Sequence, residues 1–102
     1  AMILTDGILR ARYRESFTAP RPLRAGEIHR LEIDLVATAN VFRAGHRIRL
    51  EVSSSNFPRF DRNTNTGGVI ARESAADFRT AHNEIWHDER HASHLVLPVI
   101  AR

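Results

Sequence analysis

Three histidines at helical spacing are the first candidates for chemistry in this chain. His87, His91 and His94 stand at positions i, i+4 and i+7, a spacing that would place them on one face of a helix, as a zinc site needs. The run is close to the His-Glu-x-x-His motif, although Asp88 stands where that motif has its glutamate. Because strand-like sequence flanks this short segment, a solvated turn is favoured. We predict no bound metal and keep zinc at these histidines as a weaker alternative.

A serine nucleophile is the second candidate. The Gly-x-Ser-x-Gly turn that presents such a serine does not occur in the chain. Ser53, Ser54 and Ser55 follow a predicted strand, but without the flanking glycines that a sharp turn uses. We therefore predict no catalytic residue in this chain.

A pair of carboxylates is the third candidate. Glu32 and Asp34 would share the outward face of one strand, about 7 Å apart at the strand rise, and glycosidases use such separations. Arg30 lies on the same predicted face, and Arg47 and Arg49 lie on another predicted strand. A solvated ladder of ion pairs is therefore the preferred interpretation.

The fourth candidate is the polar loop at residues 56–68, which has no periodic pattern. Its side chains favour turns closed on their own backbone, and its two phenylalanines could pin it to a neighbouring surface. A self-packed Ω-loop is the equal alternative, and a sugar or calcium site is a weaker one, since no Asp-x-Asp pattern occurs. The residues predicted to contact another domain are Asn56, Phe57, Arg59, Phe60, Arg62, Asn63 and Asn65.

Composition excludes several classes of function. The 102 residues include no cysteine, and all 15 basic residues are arginine, so neither a disulfide nor a lysine Schiff base is available. The net charge of +3 comes from arginines interleaved with acids, which argues against nucleic-acid binding. No apolar run approaches the length that spans a membrane. The cytoplasm is the expected compartment.

Residues that alternate between apolar and polar positions predict a chain of strands. A loop is expected at 15–26, a turn at 43–46, one helical turn within 69–77 and a turn at 88–93. This order predicts a single all-β domain over residues 1–102, a β-sandwich with a thin core. Unpaired strand edges would then favour self-association or membership of a larger fold. The strands are expected at residues 8–14, 28–36, 46–54, 78–87 and 94–100.

Several motifs together resemble one known family. Residues 41–50, VFRAGHRIRL, are similar to a turn and strand written F-x-P-G-H-R-I-R-L. Residues 54–59 and 63–67, SSNFPR and NTNTG, are similar to its most specific motif, S-S-x-F-P-R followed by R-N-x-N-T-G. The family is the C-terminal, non-catalytic β-sandwich domain of X-Pro dipeptidyl-peptidases and cocaine-esterase-like serine hydrolases. Ala25, Ala44 and Thr64 stand where its pattern often has proline.

The resemblance implies a jelly-roll-like, galactose-binding-like β-sandwich, of which this chain would be an incomplete portion. It also implies an accessory role in a serine acyl esterase or X-Pro dipeptidyl-peptidase. The partner would be the α/β-hydrolase catalytic domain of the same protein, which carries the whole triad. The chain would pack on that domain and shape the substrate cleft, and no cofactor is implied. The alternative is a free-standing jelly-roll module that binds carbohydrate.

Overall fold

The computed structural model describes residues 1–100 and contains little regular secondary structure in that range. Its regular elements are three short 3₁₀ helices, and turns, bends and extended backbone make up the remainder. The helices span Ala11–Tyr13, Ile70–Arg72 and Ala75–Asp77.

The prediction of an all-β, jelly-roll-like β-sandwich is wrong, because residues 1–100 contain no strand. A strand needs a ladder of backbone hydrogen bonds to a neighbour, whereas most backbone bonds here close turns of three or four residues. Many of the alternating apolar side chains also stay exposed: Leu31 and Ile33 are each 41% exposed, and Ile48 is 53% exposed. An apolar face stabilises a sheet only when another surface covers it, and no hydrophobic residue among those described is buried.

The accessible surface is correspondingly large, at 10047 Å². Two closed units, each with half of the 11.6 kDa mass, would together expose only about 7,000 Å². The chain thus leaves about 3,000 Å² more surface in water than two closed units of that mass.

The chain divides into two compact units, Ala1–Ser54 and Ser55–Arg102. In the first, the Arg14 guanidinium donates to the carbonyls of Ala11 at 3.0 Å and Arg21 at 2.7 Å, which ties the predicted 15–26 loop to the first 3₁₀ helix. The 3₁₀ helix itself interrupts the strand predicted at 8–14. That residues 1–102 form a single domain stays a prediction.

Residues 4–7 lie against residues 34–38 in the first unit. The Thr5 hydroxyl donates to the Leu35 carbonyl, and the Thr38 hydroxyl donates to the Leu4 carbonyl at 3.4 Å. A Cβ at Gly7 would collide with the Asp34 carbonyl oxygen. Glycine is therefore required at this position by the close approach of two backbones.

The turn predicted at residues 43–46 and the helical turn predicted within 69–77 are both confirmed, and each is closed by hydrogen bonds between nearby residues. His46 N–H donates to the Arg43 carbonyl at 3.0 Å, and Gly45 adopts φ +83°, a left-handed conformation that glycine tolerates. In the second unit, the helical turn predicted within 69–77 takes the form of two 3₁₀ helices. Ser74 begins the second of them with a capping box to Asp77.

None of the helices in the described part of the chain is long and apolar enough to cross a membrane. Self-association through strand edges stays a prediction, and residues 1–100 contain no strand to supply such an edge. The carbohydrate-module alternative rested on a jelly roll and loses that basis.

Candidate functional site

The polar loop at residues 56–68 begins with a tight reversal in the second unit. Phe60 N–H donates to the Asn56 carbonyl at 3.1 Å, and Phe57 N–H donates to the Ser55 hydroxyl at 3.3 Å. The Phe57–Pro58 peptide bond between them is cis. The first predicted site residue, Asn56, thus contributes its backbone to the turn that presents Phe57.

Arginine and phenylalanine side chains of the loop lie against one another. The Arg62 guanidinium carbon is 5.2 Å from the centre of the Phe57 ring and 4.9 Å from the centre of the Phe78 ring. Arg59 lies 5.5 Å from the centre of the Phe60 ring. These distances fall within the range of cation–π attraction. Phe57 is still 61% exposed, so a large part of its ring remains available for a further contact.

The two predicted asparagines shape the second half of the loop. The Asn63 side-chain oxygen accepts from Asn65 N–H at 3.2 Å, and Asn65 has φ +59°, a conformation that asparagine tolerates better than most residues. The Asn65 side-chain nitrogen donates to the Arg79 carbonyl at 2.8 Å, while Arg79 N–H donates to the Thr64 carbonyl at 2.9 Å. Both asparagines therefore have structural partners within the unit.

Glu73 holds the loop from outside its predicted limits. Its two carboxylate oxygens accept hydrogen bonds from the hydroxyls of Thr64 and Thr66. Thr64 is only 3% exposed, and a buried hydroxyl needs such a partner. The Thr66 hydroxyl oxygen also accepts from Gly68 N–H at 3.0 Å. The carboxylate thus holds Thr64 and Thr66, and the Thr66 hydroxyl in turn holds the backbone of Gly68.

Sequence reasoning missed three residues that complete this site, namely Glu73, Phe78 and Arg79. They follow the loop along the chain, and no periodic signal links them to it. Thr64 and Thr66 are two residues apart and precede Glu73 in the sequence. This spacing is the one pattern that could have suggested hydrogen bonds between the threonine hydroxyls and a carboxylate. The loop's polar groups thus resemble those of a self-packed Ω-loop, while Phe57 and Arg62 are exposed to water.

The predicted turn at 88–93 is confirmed, and it involves one of the three histidines. The Asp88 side chain accepts from Arg90 N–H at 2.9 Å and from His91 N–H at 2.7 Å. His91 Nδ1 lies 3.0 Å from the same carboxylate. The backbone bond from His91, followed by its side-chain bond, holds the pKa of Asp88 below the ordinary value of 3.8.

The histidines do not converge on a metal site. His94 Nδ1 donates to the Ala92 carbonyl at 2.8 Å, and His91 stands edge-on to Trp86 with ring centres 5.5 Å apart. Among residues 1–100, no group of three or more histidine or acidic side chains is placed to hold a metal ion. The Ser93 hydroxyl donates to the Trp86 carbonyl, so it is not aimed at a histidine.

Asp34, one member of the predicted carboxylate pair, is engaged by the backbone in the first unit. The Asp34 carboxylate accepts from Val36 N–H at 2.7 Å, which closes a local turn. Arg49 pairs instead with Glu51 at 3.4 Å, two residues along the same segment, and this pair is not one of those predicted with Glu32 and Asp34. Both side chains are exposed, so this pair contributes little stability.

Comparisons with known proteins add a family relationship. The family described as the X-Pro dipeptidyl-peptidase C-terminal non-catalytic domain matches residues 1–96. A cocaine esterase from Rhodococcus sp. (strain MB1 Bresler) is 56% identical over 102 residues, which cover 100% of this chain and 18% of that protein. Putative serine esterases from Mycobacterium bovis and Mycobacterium tuberculosis are each 30% identical over 114 residues, covering 95% of this chain and 16% of theirs. No solved structure shows significant similarity.

Proposed function

The chain belongs to the family of X-Pro dipeptidyl-peptidase C-terminal non-catalytic domains, and we propose that it is the accessory C-terminal part of a serine hydrolase. That enzyme would cleave acyl esters or X-Pro dipeptides. The match over residues 1–96 is the observation that carries the proposal. Two relatives with serine-esterase names and one named cocaine esterase support it. The chain spans under a fifth of these relatives' length.

The catalytic serine is assigned to the rest of the protein. In the described part of the chain, the Ser93 hydroxyl donates to a backbone carbonyl, and Ser74 is engaged in its capping box. Neither arrangement resembles a nucleophile that hydrogen-bonds a general base.

The proposed partner of the chain is the α/β-hydrolase domain of the same protein. The chain exposes about 3,000 Å² more surface than two closed units of the same mass would expose. Each side of an ordinary protein interface buries only roughly 800 Å², so this excess is large enough for a partner to cover. Exposed large hydrophobic side chains occur in both units, including Phe42, Phe57 and Trp86. Covering some of them against a partner would supply the burial that the chain lacks by itself.

We assign the docking surface to the exposed side of the 56–68 loop. The polar groups on its other side are engaged by Glu73 and Arg79, so the loop keeps its shape without a partner. The exposed ring of Phe57 and the guanidinium of Arg62 then suit an interface, where aromatic residues and arginine carry much of the binding energy. Docking there would place the loop at a wall of the substrate cleft. The cytoplasmic location stays a prediction.

Serine-directed labelling of the full-length protein tests the proposed function. A fluorophosphonate probe is expected to abolish hydrolysis of acyl esters or X-Pro anilides and to label one serine outside residues 1–102. The label is located by peptide mass spectrometry, with a heat-denatured sample as the control for non-specific reaction. A label on any serine of this chain, or the absence of both labelling and hydrolysis, would contradict the proposal.

A further inference from the structure

Arg62 makes two aromatic contacts and, within residues 1–100, has no acidic partner. Ion pairs are frequent elsewhere in the chain, as for Arg21 with Glu15 at 3.1 Å and Arg24 with Glu27 at 3.5 Å. Arg62 instead lies over the rings of Phe57 and Phe78. No carboxylate within residues 1–100 pairs with it.

The rings of Phe57 and Phe78 restrict the Arg62 side chain in a way that favours binding of a carboxylate. A free arginine loses considerable side-chain freedom when it binds, and a guanidinium already held against rings loses less. Ring faces attract the positive charge but provide no strong hydrogen-bond acceptor, so the five N–H donors stay available. A carboxylate matches this planar fork with two parallel hydrogen bonds.

We infer that Arg62 binds an aspartate or glutamate side chain of the catalytic part of the same protein. The inference rests on the proposed docking function and names the chemistry of the contact. More than four fifths of the related proteins' length lies outside the matched segment, and that remainder is long enough to supply a partner surface. The exposed ring of Phe57 beside Arg62 would occupy an apolar depression next to that carboxylate.

The absence of lysine from this chain allows a direct test. In the full-length protein, Arg62→Lys introduces the chain's only side-chain amine. A carbodiimide then joins that amine to a carboxylate in direct contact, and mass spectrometry identifies the acid. The expected product links position 62 to one aspartate or glutamate outside residues 1–102.

Arg59→Lys is the matched control, because Arg59 is in the same loop and lies over one ring, that of Phe60. The amine at position 59 is expected to form fewer cross-links to acids outside residues 1–102 than the amine at position 62. If position 62 is linked only to acids of this chain, or is not linked at all, the inference is wrong. Other cross-links between this chain and the catalytic part would then show that docking itself survives. Absence of every such cross-link would overturn the docking function as well.

Charge reversal gives a second readout that does not depend on a lysine substitution. Arg62→Glu in the full-length protein would place two carboxylates together. Loss of one partner of a desolvated charge pair weakens binding by about 30-fold or more. Amide hydrogen exchange within residues 56–68 should accelerate by a similar factor, while Arg59→Glu has a smaller effect. Equal acceleration in both variants, or none in Arg62→Glu, would contradict the inference.

Discussion

The 56–68 loop and the alternating segments at 28–36 and 46–54 differ in what holds their backbone. In the loop, side chains bind backbone groups and one another over short distances, as Asn65 does with Arg79 and Glu73 with Thr64. In the alternating segments, apolar side chains such as Ile33 and Ile48 remain substantially exposed. Hydrogen bonds between nearby polar groups hold the loop in one conformation without a partner. An apolar face stabilises a segment only when a second surface covers it.

This difference has a functional consequence. A loop that holds its own shape can present Phe57 and Arg62 to a partner with little loss of conformational entropy on docking. Segments with uncovered apolar faces gain stability only when a partner covers them. Four substitutions probe the two behaviours, from the largest expected effect to the smallest.

The largest effect is expected from removing the carboxylate that holds the loop. Glu73→Ala deletes two hydrogen bonds to a charged group and leaves the buried Thr64 hydroxyl without that acceptor. The expected cost is about 3 kcal/mol in local stability. Amide exchange at Arg79, whose N–H donates to the Thr64 carbonyl, measures it. Glu84→Ala, at an exposed glutamate in the same unit, is the control. Unchanged protection at Arg79 would show that side-chain bonds do not hold the loop.

Removal of the exposed loop aromatic should have the next largest effect. Phe57→Ala in the full-length protein is expected to lower the free energy of unfolding by about 2 kcal/mol, the size of an interface hot spot. Thermal denaturation and kcat/KM provide the measurements. Phe17→Ala is the matched control, because Phe17 is 87% exposed and Phe57 is 61% exposed. Equal losses of unfolding free energy in the two variants would contradict the proposal that the loop, rather than the surface in general, contacts the catalytic part.

A smaller, pH-dependent effect is expected at the Ser74 capping box. Hydrogen bonds from the Ser74 backbone and hydroxyl lower the pKa of Asp77 below its ordinary value of 3.8. The folded pKa is thus below the unfolded one, so the stabilisation is present above pH 3.8 and is lost as pH falls through the folded pKa. Ser74→Ala should raise the pKa of Asp77 towards 3.8, as measured by NMR titration of its carboxyl carbon. A titration curve identical to that of the unsubstituted protein would contradict the capping arrangement.

The smallest effect is expected in the alternating segments. Ile33→Ser in the isolated chain should change stability by no more than about 0.5 kcal/mol, as for other exposed positions. Chemical denaturation measures the change, with Leu31→Ser as a neighbouring control of equal exposure. A loss above about 2 kcal/mol would mean that Ile33 is buried in a core and that the contrast between the regions is wrong.

The same difference explains which features the sequence could predict. The turns closed by Gly45 and Asp88 and the helical turn beginning at Ser74 depend on neighbouring residues, so their residue types were sufficient. The strands depended on distant surfaces that alternation does not identify, and the β-sandwich prediction was therefore wrong. At the candidate site, composition drew attention to the loop residues, whose role in docking stays a prediction. Glu73 and Phe78 were missed because their contacts with Thr64 and Arg62 form only after the chain has reversed direction.

Hydroxyl-radical footprinting of the full-length protein tests most directly whether the 56–68 loop docks on the catalytic part. The labelling rates of two phenylalanines, Phe57 and Phe17, are compared in the same sample. Docking predicts that Phe57 is strongly protected while Phe17, outside the proposed surface, is labelled at a rate typical of an exposed ring. Labelling of Phe57 as fast as that of Phe17 would contradict the docking role.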